Sequence, residues 1–123
     1  VIVDSSDWIE FFTDGPLAGD YAKYLKAFDK ITTPTIVVYE VYKIIKRERT
    51  EEDALSAIAV MNRTFVVSLT ESIALFAADL SLKHTLPMAA SIVYATALEQ
   101  RCSVVTSDMY FKDLKQVILL AKR

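Results

Sequence analysis

Short β-branched runs that end in polar residues alternate, along this chain, with longer stretches whose apolar positions recur every three or four residues. The first run, Val1-Ile2-Val3, leads straight into Asp4-Ser5-Ser6-Asp7. It predicts a short buried strand whose last residue carries a carboxylate into a loop, with a helix starting directly after. Ser5 or Ser6 is suited to cap that helix, and Asp7 and Glu10 fall in its first turns, where the helix dipole favours acids. Trp8, Ile9, Phe11 and Phe12 give the helix its apolar bulk, and Asp14-Gly15-Pro16 is expected to end it. Leu17, Tyr21, Tyr24, Leu25 and Phe28 recur at helical spacing and predict a second helix. Ile31-Thr32-Thr33 predicts a very short strand. From Pro34 to Arg49 the signals conflict. Ile36-Val37-Val38 favours strand by propensity, but Thr33-Pro34 is a good helix start and Val37, Val41, Ile44 and Ile45 continue at helical spacing, so a helix is expected.

Thr50-Glu51-Glu52-Asp53 starts another predicted helix, with Leu55, Ile58 and Met61 on one face. Phe65 to Leu69 reads as a buried strand. Thr70 caps a helix through Ile73, Phe76, Ala77 and Leu80 that ends near Lys83-His84. Leu86-Pro87 opens an alanine-rich helix reaching Arg101. Ser103 to Thr106 is a strand leading into Ser107-Asp108, a short turn or helix holds Met109 to Leu114, and Val117 to Leu120 is a last strand before a basic tail, Lys122-Arg123. Strands separated by helical connections imply an α/β fold, a mostly parallel sheet with helices on both faces. No internal repeat or linker interrupts the pattern, so one domain over residues 1–123 is expected.

Composition narrows the class of protein. With 53% apolar residues, 2 Gly and 3 Pro in 123 residues, disorder and low complexity are unsupported. A formal net charge of -2 argues against a protein held to nucleic acid by charge alone, though it leaves room for a local basic face. A single cysteine, Cys102, precludes an intrachain disulfide and favours a reducing, cytoplasmic setting. No signal-peptide pattern is present, and Glu71, Asp79 and Lys83 break the most apolar stretches before spanning length, so no membrane association is expected. The absence of an initiator Met is what a trimmed or processed chain would show.

Two acids follow predicted strand ends, Asp4 after Val1-Ile2-Val3 and Asp108 after Val104-Val105-Thr106-Ser107. If those strands are parallel neighbours, both carboxylates reach one rim, where like charges repel unless a cation lies between them. Glu40, between Val37 and Val41 on the predicted helix, is a third candidate. Each also has a plainer reading: Asp108 caps the turn after it, and Glu40 pairs with Lys43 or faces solvent. Asp4 is harder to explain this way, because a buried strand end has little reason to carry a charge. His84 reads as a helix-end residue and Cys102 as a small core residue. No Cys–His or Ser–His pairing and no phosphate-binding glycine loop is present.

Four segments, VIVDSSDWIEFF, TPTIVVYEVYKII, LPMAASIVYATALE and VVTSDMYF, in this order and spacing, together resemble the PIN-domain family, and most closely its VapC-type toxins of prokaryotic toxin–antitoxin pairs. The resemblance runs the full length and implies a three-layer α/β/α sandwich around a mostly parallel sheet. It implies a metal-dependent endoribonuclease, with Mg²⁺ or Mn²⁺ held by clustered acids. Asp4, Glu40 and Asp108 match the family's catalytic and metal-binding acids, and Ser6 and Thr106 match the small hydroxyl residues that support them. It also implies a homodimer neutralised by a small antitoxin that inserts a peptide near the acidic pocket, for which exposed aromatics on the first two helices would be suited.

One position departs from the family's pattern. After Leu-Pro the family's helix carries an aspartate, usually as L-P-x-x-D-A-x-I, and here Ala90 stands in its place in Leu86-Pro87-Met88-Ala89-Ala90-Ser91-Ile92. A methyl group binds no cation, so weakened or lost activity is expected. An introduced Asp→Ala change and a degenerate natural site both explain it; the otherwise intact motif favours the first. Neither Asp7, read as a helix-start acid, nor Asp79, read as a solvated one, is a good replacement. Lys43, Lys46 and Arg47 beside Glu40, and Lys112 beside Asp108, are candidate RNA contacts, although charge runs are most often solvated faces. The alternative to an enzyme is a non-catalytic PIN-fold module that binds a protein partner or RNA. A phosphoacceptor receiver domain, a third reading, needs an acid after the middle strand, where Thr70 follows Leu69.

Overall fold

The computed structural model describes residues 1–13 and 27–120. In chain order the elements are β1 (Ile2–Val3), α1 (Ser5–Phe12), a 3-10 turn (Phe28–Lys30), β2 (Thr32–Pro34), α2 (Thr35–Glu48) and α3 (Glu51–Met61). They continue with β3 (Phe65–Val67), α4 (Glu71–His84), α5 (Met88–Gln100), β4 (Val104–Thr106), a second 3-10 turn (Met109–Phe111) and β5 (Val117–Leu119). The predicted helix at Leu17 to Phe28 lies mostly outside the described residues, as do Asp14-Gly15-Pro16 and the basic tail. Among the described residues, no helix is long and apolar enough to cross a membrane.

Among the described residues, all strand pairs are parallel. β1, β4 and β5 form one run in that order, and β2 pairs with β3. The two runs meet where the Thr32 amide donates to the Val1 carbonyl at 2.8 Å. β1 therefore lies in the middle, with β2 on one side and β4 on the other. The chain leaves β1 toward β2 and β3, and later returns to its opposite side with β4 and β5. That reversal is a topological switch point, and ligands in open α/β sheets bind outside the strand ends at such a point. Helices α1, α2 and α3 pack together, as do α4 and α5, giving the expected α/β/α layers.

Burial explains why these short strands hold. Ile2, Val3, Val104 and Val105 are wholly buried, as parallel strands covered by helices should be. α5 is buried from Ala90 to Ala97, so it runs through the core instead of lying on it. Its buried serine and threonine turn back on their own helix, Ser91 Oγ to the Met88 carbonyl at 2.7 Å and Thr96 Oγ1 to the Ile92 carbonyl at 2.8 Å.

Several local expectations change. α2 is helical as predicted, but Pro34 ends β2 and precedes the helix, which starts at Thr35. Thr50 and Thr70 do cap α3 and α4, accepting from the amides of Asp53 and Ile73. On α3 the buried face is Ala54, Ala57 and Met61, and Leu55 is exposed. The run from Phe65 to Leu69 is not a buried strand: β3 is a sheet edge only three residues long, Phe65 is 60% exposed, and Leu69 lies beyond it and is also exposed.

Candidate active site

Asp4 terminates β1 and is the N-cap of α1, the role expected of Ser5 or Ser6. Its carboxylate does two local jobs. Oδ1 accepts from the Ser5 amide at 2.9 Å, and Oδ2 accepts from the Thr106 hydroxyl at 2.9 Å. Thr106 ends β4, the neighbouring strand, and its Oγ1 also accepts from the Asp108 amide at 2.9 Å. One buried hydroxyl thus ties the acid after β1 to the backbone of the acid after β4. Asp108 in turn accepts from the Tyr110 amide at 2.9 Å, so it does cap the turn after it. This role coexists with the other, because an ionised carboxylate has about four lone-pair positions and one amide takes only one of them.

Glu40 comes from the second turn of α2 and is half-buried. Asp4, Glu40 and Asp108 line one cavity of about 210 Å³, with Ser5, Ser6, Pro87, Ala89, Ala90 and Tyr110 completing its wall. Three acids from separate parts of the chain therefore converge where the strand register places them. Ala90, which begins the buried run of α5, faces the same cavity.

The electrostatics match this crowding. Burial pushes the Asp4 carboxyl above its ordinary 3.8, and the negative charge of Asp108 pushes the same way, against the Thr106 and Ser5 hydrogen bonds. Burial is also the main cause raising Glu40 above its ordinary 4.5; Asp4 and Asp108 add to it, while a Ser5 hydrogen bond and Lys43 oppose it. Asp4 and Glu40 therefore both resist ionising in this surrounding. Among the described residues, no group of three His, Cys, Asp or Glu side chains is arranged as it stands to hold a metal ion.

Asp7 lies in the first turn of α1, as expected of a helix-start acid, but it does more than face the helix dipole. It is wholly buried, and its Oδ1 accepts from the Ser107 hydroxyl at 3.0 Å and the Ser6 hydroxyl at 3.4 Å. It is a second link between the start of α1 and the end of β4, alongside Asp4–Thr106. The serine at position 107, beside Asp108, is the only sequence hint of it. Ser107→Ala would leave one buried carboxylate oxygen short of a donor, at a cost of about 1–3 kcal/mol. Thermal or urea unfolding of Ser107→Ala and of Asp7→Asn checks this, with the asparagine variant expected to retain most of the stability because it keeps one acceptor oxygen. Equal, negligible losses would show that the link carries no weight.

The basic candidates divide. Lys46 bonds Glu51 at 3.2 Å and Arg47 bonds Glu48 at 3.1 Å, both on the exposed surface, and neither lines the cavity. Lys43 is exposed, sits 5.6 Å from the Tyr39 ring centre, and is the cation whose field reaches Glu40. Lys112 is exposed just past the second 3-10 turn. Of the aromatics proposed for a partner, Tyr21 and Tyr24 lie outside the described residues; Phe28 is half-buried, with the Arg63 guanidinium 4.6 Å from its ring centre. His84 ends α4 and stacks edge-on against Tyr94 at 6.1 Å. Cys102 is half-buried against the core, where burial raises its thiol. Asp79 is exposed on α4, away from the cavity.

The family model of the PIN domain matches residues 1–117. The chain belongs to the PIN domain family. No curated protein sequence matches it significantly. Among solved structures, this PIN domain is similar to a toxin–antitoxin complex from Klebsiella pneumoniae, with TM-score 0.80 and 19% identity over 96% of this chain and 95% of that one. It is similar to VapC20 of Mycobacterium tuberculosis, a toxin that cleaves the sarcin–ricin loop, with TM-score 0.76 and 18% identity over 94% of this chain and 95% of that one. It is also similar to VapBC2 from Rickettsia felis bound to a promoter DNA fragment, with TM-score 0.74 and 13% identity over 98% of this chain and 96% of that one. At such identities the likeness is one of fold, and the chemistry of this PIN domain is argued from its own residues.

Proposed function

We propose that this PIN domain is the ribonuclease toxin of a toxin–antitoxin pair, with Asp4, Glu40 and Asp108 as its catalytic, metal-binding acids, and that Ala90 leaves it weakened. The observation that carries this is the convergence of those three carboxylates on one cavity at the switch point of a PIN fold. The donor set suits a hard divalent cation, Mg²⁺ or Mn²⁺, because every polar side chain on the wall that could ligate is an oxygen donor. Burial and neighbouring carboxylates raise Asp4 and Glu40, and a bound cation would favour their ionised forms.

When bound, such an ion supplies Lewis acidity toward a phosphodiester. The chain's own residues do the rest. Asp4 is held in one rotamer by Thr106 and the Ser5 amide, so its position is set before anything binds. Asp108 is fixed by its own backbone bond to Thr106, and Ser6 and Glu40 complete the polar wall. The negative charge of the acids opposes cavity entry by a bare phosphate, so substrate and cation are expected to bind together.

Homodimerisation, an antitoxin partner and a cytoplasmic setting belong to the same reading. In support of a self-association surface, Leu75 and Leu82 are exposed on α4, and exposed Leu69 and Met88 line an apolar groove with Ala74, Ala77 and Ala78 of that helix. The second reading, a PIN fold that only binds a partner or RNA, is favoured by one observation: Ala90 occupies the cavity wall where the family pattern has a carboxylate. Incubating the chain and its Ala90→Asp variant with mixed-sequence RNA and Mn²⁺, with and without a chelator, separates the two. Chelator-sensitive cleavage by the variant supports the nuclease. Intact RNA in every arm leaves the binding module.

A further inference from the structure

The acidic cavity is too small for a whole nucleotide with its base. At about 210 Å³ it falls below the ~300–1,000 Å³ of a typical small-ligand site, so it suits a phosphate and its counter-ions. The sugar and base on either side must then lie on the protein's surface, where something has to receive them. Charge supplies little of that grip. The chain is net -2, and two of the four basic candidates near the site already face carboxylates.

One side chain at the rim is suited to receive a base. Tyr110 lines the cavity together with Asp108, yet it is 58% exposed. Its position relative to the acid is set, because its amide donates to Asp108 Oδ1 at 2.9 Å within the short turn that both residues build. Phe111, the next residue, is wholly buried and anchors that turn to the core against Tyr94. Among the described residues, the Tyr110 ring meets no other aromatic ring and no cation. Tyr39 is equally exposed, but Lys43 lies over its ring and it does not line the cavity. A large aromatic face held beside the acids and mostly open to water is available to a ligand.

We propose that Tyr110 is the stacking platform for an unpaired base flanking the phosphate that enters the acidic cavity. This rests on the ribonuclease reading and deepens it. Stacking tolerates any base, because every base has a π-face, and it requires that the base be free of its helix. A paired base buries both faces against its neighbours and cannot reach the ring.

The test measures binding of the full chain to a short fluorescent single-stranded RNA, and to a duplex of the same sequence, in Mg²⁺, with gels to confirm that the RNA stays intact. Tyr110→Ala is expected to weaken single-strand binding about 5- to 150-fold, the range of one base–aromatic stack, and to leave duplex binding unchanged. Tyr110→Phe keeps the ring and is expected to bind like the parent. A 2-aminopurine base next to the bound phosphate should be quenched by the parent and by Tyr110→Phe, but not by Tyr110→Ala. Unchanged single-strand affinity of Tyr110→Ala overturns the proposal, as does an equal loss in Tyr110→Phe, which would assign the hydroxyl and not the ring. If the parent and its Ala90→Asp variant bind no RNA at all, the ribonuclease reading fails and takes this proposal with it, a pattern distinct from failure at Tyr110 alone. Circular dichroism confirms that the variants are folded.

Discussion

Ala90→Asp is expected to raise Mn²⁺ affinity by at least about 10–100-fold. That range is what outer-shell partners of metal sites are worth, and a carboxylate on the cavity wall itself should contribute no less. The argument is local. Ala90 lines the same cavity as Asp4, Glu40 and Asp108, on a helix whose following residues are buried and immobilised by packing. An aspartate there adds a hard oxygen donor to a position already fixed. It also adds a fourth like charge to a site where Asp4 and Glu40 already resist ionising. The variant should therefore melt lower than the parent without metal, and its Tm should rise more steeply as Mn²⁺ is added, because binding to the folded state alone stabilises it. Calorimetric titration and thermal melts read both effects. A variant that melts lower and gains nothing from Mn²⁺ would show that the cavity is not a metal site.

Asp4→Asn is expected to do the reverse, abolishing metal binding without destabilising the metal-free fold at neutral pH. Asp4 is 7% exposed and carries its charge against the environment. Burial is the main reason, and Asp108 adds to it. A carboxyl whose folded-state pKa is raised binds its proton more tightly when folded than when unfolded. Its contribution is most favourable below the ordinary value of 3.8 and is lost as pH rises through the raised folded value. Glu40 behaves in the same sense from 4.5 upward. The metal-free parent should thus lose stability through this pair as pH rises across that window, and Asp4→Asn should flatten the loss. Mn²⁺ affinity of the parent should climb over the same window, since ion and protons compete for the same oxygens. Melts from about pH 4 to 8, with and without Mn²⁺, measure all of this. A Tm several degrees below the parent in metal-free Asp4→Asn would mean that the charge supports the fold, contrary to the electrostatics described here.

The meeting of Asp4 and Asp108 at one cavity was legible because both acids follow strand ends. A β-branched run that stops at an acid, as Val1-Ile2-Val3-Asp4 and Val104-Val105-Thr106-Ser107-Asp108 both do, can be read from the chain, and only the pairing of β1 with β4 was needed to bring the two together. Glu40 was legible through helical spacing once α2 outweighed the strand propensity of Ile36-Val37-Val38. What was misread depended on contacts that no short window contains. Phe65 to Leu69 has the composition of a core strand, but β3 is at an edge, and edge or centre is decided by partners elsewhere in the sheet. α3 could have buried Leu55 by spacing; it buries Ala54 and Ala57 because α2 packs closely against it, and small side chains allow that approach. Asp7 looked like an ordinary helix-start acid because its partner, Ser107, is 100 residues away. Ser5 and Ser6 are good caps by type, but Asp4 reaches the helix start first and is held there by Thr106.

The most direct test of the account is a crystal structure of the Ala90→Asp variant grown with Mn²⁺, with anomalous data collected to locate the ion. The account predicts an anomalous peak inside the cavity bounded by Asp4, Glu40 and Asp108, with carboxylate oxygens from at least two of them as ligands. A cavity without a peak at saturating Mn²⁺, or an ion bound only elsewhere on the molecule, would contradict it.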